Sequence, residues 1–445
     1  MAGSRRTPKA PPVATEGAPP LGPKGKTGRP NKRTLRIRMY RVGFGDCFLV
    51  SFPLTNGVLA KEAHAHVLVD CGVHAKGDIG TLGKVVDDVA KVTNKKLELV
   101  VVTHAHQDHI AGFDRFADKF KAFDIGAVWL PWTWNPNDPQ AAGLQKKHQA
   151  LTARLAQDLQ AAVADPNAVN AIENLKGNEH AIELLKSGFE GKAKVWYLKA
   201  GQAPTGPEEI SIPDLSVKIL GPPQSEEFLA QMDPPASEHY LRLGPDQQTS
   251  GALQPFMKKW RLEQPPDELI RSIFTEQDKK LLQEVATSPL NELAFALDQV
   301  RNNESLVVLF IFRGQYLLFP GDAQCGNWRW WLENLQPDSI LPEITFFKVA
   351  HHGSVNATPK DALEKMSDGK FASMVSTQSE PWTSIPRVPL MARISTKSKS
   401  KIVRSDWVKI NDAPKPLAGT APAMPSTLPN GFSKGDFWFD YLIQV

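Results

Sequence analysis

The sequence has few cysteines, no long apolar run and no strong excess of either charge. Its 445 residues include three cysteines, Cys47, Cys71 and Cys325, which are odd in number and far apart along the chain. This pattern is not that of a disulfide framework and favours a reducing compartment, so we expect a cytoplasmic protein. No apolar run approaches the roughly 20 residues that cross a bilayer, and no apolar signal segment follows the basic N-terminal residues. We therefore expect a soluble protein without membrane contact.

The net charge of +4 is distributed unevenly along the chain. Residues 1–33 hold eight lysines and arginines and one acidic residue, whereas the rest of the chain has a small acidic excess. Because the first segment is rich in proline and glycine and poor in apolar residues, we predict a disordered basic arm over 1–33 and a folded domain over 34–445. The arm could contact phosphates or keep the chain soluble, and the acidic body does not indicate nucleic-acid binding by charge.

The densest group of ligand-type side chains follows an apolar strand at 99–102. Three histidines and one carboxylate lie within six positions: His104, His106, Asp108 and His109. Alternate positions of an extended chain share one side, so His104 and His106 face the same way and the other two follow around a turn, before a helical pattern begins at Phe113. This geometry suits two metal ions side by side. Solvated loop histidines are the alternative, which the concentration of three of the eleven histidines disfavours.

Other strands end in residues of the same kinds. Asp70 ends an apolar strand before a glycine, Asp322 follows the strand at 316–319, and the strand at 344–350 runs into His351 and His352. Asp70 and Asp322 could each be turn formers; in a metal site, Asp70 would orient a ligating histidine and Asp322 would bridge two cations. The order of strands and helices predicts a layered α/β domain whose site lies along one edge of a sheet.

Two stretches without matching strand patterns interrupt this domain. We predict helical insertions at about 134–190 and 224–300, the second with helices near 276–287 and 289–300, and either could bind a protein partner. Trp132 and Trp134 could line a pocket or pack in the core. The alternating apolar residues of 437–445 predict a closing strand.

These motifs, in this order, resemble the metallo-β-lactamase superfamily. Five segments are similar to the metallo-β-lactamase-like domain of the DNA-uptake protein ComEC: Val42-Gly43-Phe44-Gly45-Asp46, Leu68-Val69-Asp70-Cys71-Gly72, Asn303-Glu304-Ser305-Leu306-Val307, Leu318-Phe319-Pro320-Gly321-Asp322 and Lys348-Val349-Ala350-His351-His352-Gly353-Ser354. The resemblance spans about residues 35–380 without the insertions. It implies an α/β fold of the αββα four-layer sandwich type, two divalent metal ions, usually zinc with manganese as the alternative, and hydrolytic chemistry.

The resemblance also implies roles for individual residues. The expected metal ligands are His104, His106, Asp108, His109, Asp322 and His351. Asp108 and His352 are the expected catalytic residues, and Asp70, Ser354 and Asn356 are expected behind the ligands or near the substrate. Because adjacent residues at a strand end point apart, we expect His351 to bind metal and His352 to face the substrate.

One departure from the family pattern concerns a further histidine that many members supply to the first metal. The candidates are His148, His180 and His239, which all lie in helical or polar insertion sequence and are expected at the surface.

We expect a metal-dependent hydrolase, first of all a phosphodiesterase or nuclease that uses a metal-bridged hydroxide on nucleic acid or a nucleotide. One alternative is a hydrolase of a small ester, lactone or thioester with the same site. Another is a non-catalytic metal-binding interaction module.

Overall fold

The computed structural model of the chain describes most of the folded part of the sequence. The described residues are 34–54, 64–161, 166–202, 212–231, 290–354, 356–378, 381–382, 385–406 and 427–445. The predicted arm at 1–33, the predicted helix near 276–287 and His239 lie outside these residues, so the arm and the division at residue 34 stay predictions. Within the described ranges, no helix is both long and apolar enough to span a membrane.

The described chain contains fourteen strands in two sheets. The strands are β1 (Thr34–Tyr40), β2 (Cys47–Pro53), β3 (His64–Cys71), β4 (Lys96–Val101), β5 (Asp124–Pro131), β6 (Lys194–Leu198), β7 (Leu215–Gly221), β8 (Val307–Phe312), β9 (Gln315–Phe319), β10 (Ile344–Lys348), β11 (Ala372–Val375), β12 (Ile402–Arg404), β13 (Phe432–Lys434) and β14 (Trp438–Gln444). The first sheet has the order β13-β14-β1-β2-β3-β4-β5-β6, and the second has the order β12-β11-β10-β9-β8-β7.

Helices connect and flank these strands. In the described residues they are α1 (Leu82–Thr93), α2 (Gln107–Arg115), α3 (Ala117–Lys121), α4 (Pro139–Ala161), α5 (Pro166–Leu175), α6 (Glu179–Lys186), α7 (Gly188–Gly191), α8 (Glu226–Leu229), α9 (Leu290–Asn303), α10 (Cys325–Asn334), α11 (Pro337–Ile340), α12 (Lys360–Lys365) and α13 (Val388–Lys397). Single 3₁₀ turns lie at Ala75–Gly77, Trp132–Trp134, Leu341–Glu343 and Ala350–Gly353.

The two sheets pack face to face across an apolar core. Successive strand residues point to opposite faces, so Val67 lies in the core between the sheets while Leu68 lies in the core on the other side of the first sheet. That outer core also contains Val85 of α1, and the outer face of the second sheet packs against Trp328 of α10. The prediction of an α/β sandwich is confirmed.

The C-terminal stretch forms a strand of the first sheet, but β13 lies beyond it at the edge of that sheet. Strand β14 pairs antiparallel with β1, with Tyr441 opposite Ile37. Phe439 lies in the core between the sheets, and Ile443 is partly buried against it. The two ends of the described chain therefore pair with each other in one sheet.

The structure corrects one local prediction and decides between two alternatives for another. The helix predicted from Phe113 begins at Gln107, so that boundary is wrong. Asp108 lies in its first turn, where a carboxylate interacts favourably with the positive end of the helix dipole, and this allows the helix to start inside the histidine motif. Trp132 and Trp134 are only 3% and 1% exposed and are core residues.

Candidate metal centre

Strands of both sheets deliver ligand-type side chains to one edge of the sandwich. Asp70 lies at the end of β3, the histidine motif follows β4, Asp322 follows β9, and His352 follows β10. The parallel strands of each sheet end at this edge, which is where sites form in such folds. Six side chains meet there and are called the histidine–aspartate cluster: His104, His106, Asp108, His109, Asp322 and His352. All six residues are buried, with at most 2% exposure.

One part of the cluster consists of His104, His106 and Asp108. Each offers a ligand atom within 4.8 Å of the others. The two closest atoms are His104 Nε2 and His106 Nδ1, which are 3.0 Å apart. The other nitrogen of His104, Nδ1, lies 3.1 Å from Thr103 Oγ1 and 3.2 Å from Ser305 Oγ, so these hydroxyls orient the ring from behind.

The other part of the cluster consists of His109, Asp322 and His352, together with Asp108, which belongs to both parts. Asp322 Oδ2 lies 3.2 Å from His109 Nε2 and 3.3 Å from His352 Nε2. His352 Nε2 is also 3.1 Å from Asp108 Oδ2. Its Nδ1 donates to the carbonyl oxygen of Ser376 at 2.7 Å, which leaves Nε2 directed at the carboxylates.

The donor set fits divalent cations. Among the described residues, two buried polar atoms of the cluster that have no hydrogen-bond partner are His109 Nε2 and Asp108 Oδ1. Buried polar atoms are usually paired, so atoms left unpaired and convergent indicate a place for a ligand. Imidazole nitrogens with carboxylate oxygens are ligands of zinc and other transition metals. These buried groups could therefore hold metal ions.

Asp70 supports this cluster from behind. Its Oδ1 accepts the backbone N–H of Thr103 at 2.8 Å, and its Oδ2 accepts from Thr103 Oγ1 at 2.7 Å and from His109 Nδ1 at 2.8 Å. A carboxylate on the outer nitrogen of a histidine fixes the tautomer that leaves the inner nitrogen free. A Cβ atom at Gly72 would come within 2.4 Å of the His109 backbone, so glycine lets β3 approach α2 closely here.

Two charged residues of the site had no predicted role. Lys348 is buried, and its Nζ contacts Asp46 Oδ2 and lies 3.2 Å from Asp322 Oδ1 and 2.9 Å from the carbonyl oxygen of Gly321. Asp46 is held in turn by its backbone N–H, which donates to the carbonyl oxygen of Asp108 at 2.8 Å. Both residues lie within the segments that carry the resemblance, and this position was the sequence signal that could have pointed to a role in the site.

The protonation of the metal-free cluster differs between its two parts. Burial lowers the pKa of His106 to about 3 and also lowers the pKa of His104 well below its usual range. Burial also disfavours charge on His352, but Asp322 and the hydrogen bond to Asp108 outweigh it and raise the pKa of His352 to about 10. Neutral imidazole is the form that binds metal, and the first two histidines already have it.

The carboxylates of Asp322 and Asp108 stay ionised although they are buried. Burial favours the protonated form of Asp322, but the charges of His109 and Lys348 outweigh it and hold the pKa of Asp322 well below its usual range. Burial likewise acts against the charge of Asp108, and the charge of His109 lowers the pKa of Asp108. The site thus combines ionised carboxylates with imidazoles.

Three other predicted site residues lie beside the cluster rather than in it. His351 Nε2 faces the side-chain amide of Asn302 at 3.4 Å, and no atom of His351 belongs to the groups of convergent ligand atoms among the described residues. Ser354 Oγ donates to Asn356 Oδ1 at 2.9 Å, so these two residues form a pair of their own after the histidines.

Helices of the first predicted insertion contact the histidine motif. The side-chain amide of Asn178 donates to the carbonyl oxygen of Ala105 at 2.8 Å, and Asn174 Oδ1 accepts the backbone N–H of Asp108 at 3.2 Å. The described candidates for a further histidine ligand lie elsewhere. His180 is exposed and pairs with Asp114, as expected of a surface residue.

His148 differs from our prediction of a surface residue, because it is buried. Its Nδ1 lies 3.3 Å from Glu304 Oε1. Helix α4, which carries His148, packs against neighbouring elements of the domain, so the face of α4 on which His148 lies is covered.

Comparison with known proteins gives similarity over the first third of the chain. The family model described as "Anti-Pycsar protein Apyc1" matches residues 37–125, a stretch that includes Asp70 and His104–His109 and ends before Asp322 and His352. Anti-Pycsar protein Apyc1 of Paenibacillus sp. (strain J14) is 28% identical over 87 residues, which are 20% of this chain and 32% of the relative. The Apyc1 protein of Paenibacillus xerothermodurans is 32% identical over 88 residues, which are 20% of this chain and 31% of the relative.

The chain thus spans about a third of the length of the curated relatives that it matches. These comparisons name Apyc1, whereas the resemblance that we read from the motifs named the ComEC-type domain. In its amino-terminal part, this chain is similar to the Apyc1 anti-Pycsar proteins.

Proposed function

We propose that this chain is a metal-dependent phosphodiesterase of the αββα metallo-β-lactamase type, related to ComEC-like domains, with two divalent cations at the histidine–aspartate cluster. One observation carries the proposal: six buried ligand side chains from both sheets converge, with Asp322 Oδ2 3.2 Å from His109 Nε2 and 3.3 Å from His352 Nε2. The similarity to Apyc1 supports it, because the matched stretch contains four of the six residues.

The ligands divide between the two cations by proximity. His104 Nε2 and His106 Nδ1 would hold the first cation, and His109 Nε2 and His352 Nε2 would hold the second. Asp322 would complete the second set, and Asp108, which has a ligand atom near both sets, would lie between them. The resemblance implies that Asp322 bridges the two cations. We propose His352 instead of His351 as the ligand, since His351 Nε2 faces Asn302.

When bound, two divalent cations supply Lewis acids for phosphoryl oxygens and a water molecule that loses its proton near neutral pH. The chain's own residues prepare this chemistry. Asp70 and the carbonyl oxygen of Ser376 hold the N–H of His109 and His352 on Nδ1, so that both Nε2 atoms stay available as ligands. Asp108 Oδ1 has no partner and would accept a proton from the attacking water. Zinc suits this nitrogen-rich donor set, with manganese as the alternative.

We propose a cyclic nucleotide as the substrate, because similarity to the anti-Pycsar proteins favours that class over a long nucleic acid. The slight acidic excess of residues 34–445 argues in the same direction, since a long polyanion is bound mainly through basic residues. Ser354 and Asn356 would face the substrate, beyond the ligands.

The experiment combines metal analysis with a substrate screen. Metal content is measured by mass spectrometry, and hydrolysis is measured on cyclic mononucleotides, cyclic dinucleotides, single- and double-stranded DNA, RNA and simple esters and lactones. We expect two metal ions per chain and hydrolysis of cyclic nucleotides. The double variant Asp108→Ala/His109→Ala should lose the hydrolysis.

The chain offers a matched control for that variant. Asp114 and His180 form an exposed carboxylate–histidine pair, and Asp114→Ala/His180→Ala should keep both metal and activity. Hydrolysis confined to esters would replace the proposal by the ester hydrolase. Less than one metal per chain with no hydrolysis would replace it by a non-catalytic module, and activity of the metal-loaded Asp108→Ala/His109→Ala variant would overturn the site.

A further inference from the structure

We propose that Asp298 of α9 is a positioning residue for the first cation: it accepts the N–H of His106 Nε2 and so leaves His106 Nδ1 free as a ligand. The inference rests on the proposed function, since it concerns a cation at the cluster. It goes further by assigning a role to a residue that lies outside the sequence motifs. Asp298 lies at the edge of the second predicted insertion, four residues before Asn302.

The orientation of His104 shows which nitrogen of His106 faces the cation. Hydroxyls of Thr103 and Ser305 lie 3.1 and 3.2 Å from His104 Nδ1, so Nε2 is the nitrogen left to bind. That atom lies 3.0 Å from His106 Nδ1. Two imidazole nitrogens around a tetrahedral zinc ion are about 3.3 Å apart, so this pair has the spacing of two ligands of one ion. The two nitrogens of one ring cannot face the same ion, and His106 Nε2 must therefore point away from it.

Asp298 lies where His106 Nε2 points. Its Oδ1 is 3.5 Å from that nitrogen, and both atoms are buried without a hydrogen-bond partner among the described residues. The side-chain amide of Asn302, one helical turn further along α9, donates to Asp298 Oδ2 at 3.4 Å. One carboxylate oxygen is thus fixed by Asn302 while the other faces His106. A small shift would convert this approach into a hydrogen bond.

The arrangement matters because the first cation has a sparse ligand set. Of the candidates for a further histidine, the described ones lie elsewhere: His148 Nδ1 faces Glu304 Oε1 at 3.3 Å, and His180 pairs with Asp114. A carboxylate behind a ligating histidine raises the basicity of that ligand. Asp298 would therefore strengthen the bond from His106 and partly compensate for a further histidine ligand, which the described residues do not supply. Asp70 does the same for His109 at the second cation.

The test compares Asp298→Ala, Asp298→Asn and Asp298→His in the full-length protein. Affinities for zinc are measured by competition with a chelator, and the stoichiometry is measured by mass spectrometry. We expect Asp298→Ala to weaken one of the two bound ions about 10- to 100-fold and to leave the other nearly unchanged. Asp298→Asn should retain most of the affinity, because an amide oxygen also accepts an N–H.

The variants also separate a positioning residue from a direct ligand. A direct ligand would lose the ion as completely in Asp298→Asn as in Asp298→Ala, and Asp298→His would restore it. Wild-type affinity for both ions in Asp298→Ala would overturn the proposal. If the unaltered protein binds no metal, the proposed function fails; if it binds two and hydrolyses while Asp298→Ala is unchanged, only the role of Asp298 fails. Asp114→Ala, at an exposed carboxylate beside His180, is the matched control.

Discussion

Strands β1–β6 and strands β7–β12 follow one pattern of pairing. Each begins with three antiparallel strands, β1–β3 and β7–β9, and continues into three parallel ones, β4–β6 and β10–β12. In each half, an aspartate at or just after the third strand contacts a histidine of the histidine–aspartate cluster, and residues that follow the fourth strand belong to that cluster. The sequence shows no internal repeat that would predict this correspondence.

The two third strands end in aspartates that face different partners. Asp70, after the first meander, binds the Thr103 backbone and the outer nitrogen of His109. Asp322, after the second, faces the inner nitrogens of His109 and His352. The difference teaches that a shared place in the fold does not fix a role: Asp70 holds a histidine of the cluster from behind, and Asp322 belongs to the cluster itself.

The largest effect should come from the second of these aspartates. Asp322→Asn removes the charge that faces both His109 and His352, so we expect a loss of about 10³-fold in kcat/KM and a loss of bound metal. Activity and metal content per chain are measured together, with thermal unfolding to check the fold. Asp338→Asn, at an exposed carboxylate of the same half, is the control and should change neither.

Near-normal metal content in Asp322→Asn would contradict the role that separates the two aspartates. Asp322 would then be chiefly the ion-pair partner of Lys348.

The second effect concerns the adjacent histidines after β10. We expect His352→Ala to reduce kcat/KM about 10²-fold, because a ligand is lost, and His351→Ala to reduce it about threefold or less. Both residues have positive φ, 44° for His351 and 52° for His352, so the two substitutions have similar backbone consequences and form a matched pair. Metal stoichiometry distinguishes them further. The opposite ranking would restore the prediction from the sequence, with His351 as the ligand.

The third effect should be smaller, because Asp70 acts through His109. Asp70→Asn keeps an oxygen for the Thr103 backbone but loses the acceptor for His109 Nδ1. We expect metal affinity or kcat to fall 10- to 100-fold. Chelator competition and steady-state kinetics measure this. If Asp70→Asn proved as damaging as Asp322→Asn, the contrast between the two halves would be wrong.

The last prediction concerns the pH dependence of the stability of the metal-free protein. His352, which faces Asp322, Asp108 and Asp46, has a pKa raised from 6.5 to about 10. Between these values the folded chain keeps a proton that the unfolded chain has released, so the free energy of unfolding falls as pH rises. We expect unaltered protein in EDTA to lose up to about 1.4 kcal/mol per pH unit more than His352→Asn over this range. Urea unfolding at pH 6.5 to 9 measures it.

The part of the cluster that contains His104 and His106 should behave oppositely. Burial lowers the pKa of His106 to about 3, so below pH 6.5 the unfolded chain binds a proton that the folded chain does not. The contribution of His106 to stability is present above pH 6.5 and is lost as pH falls. Equal slopes in His106→Asn and the unaltered protein between pH 6.5 and 5 would contradict this difference between the two parts of the cluster.

The sequence alone predicted the α/β sandwich, the C-terminal strand and the stretches from which the cluster is built. These features are predictable because strand and helix periodicities are local, and because histidines and aspartates rarely concentrate at strand ends. The predicted start of α2 is too late, because Asp108 favours a helix start before the apolar helical pattern begins. Asp46 and Lys348 received no role, because nothing local indicates that a lysine is buried between carboxylates.

What the sequence by itself determined is where the ligand-type side chains lie along the chain: four in one motif, Asp322 after one strand and the pair His351–His352 after another. Which of His351 and His352 faces the carboxylates was decided by the tertiary structure, through the left-handed turn after β10 and the carbonyl oxygen of Ser376. The contrast between Asp70 and Asp322, and the placement of Asp298 behind His106, were decided there too. The physical reason is that these contacts join residues far apart in the chain, and only packing of the two sheets sets their distances.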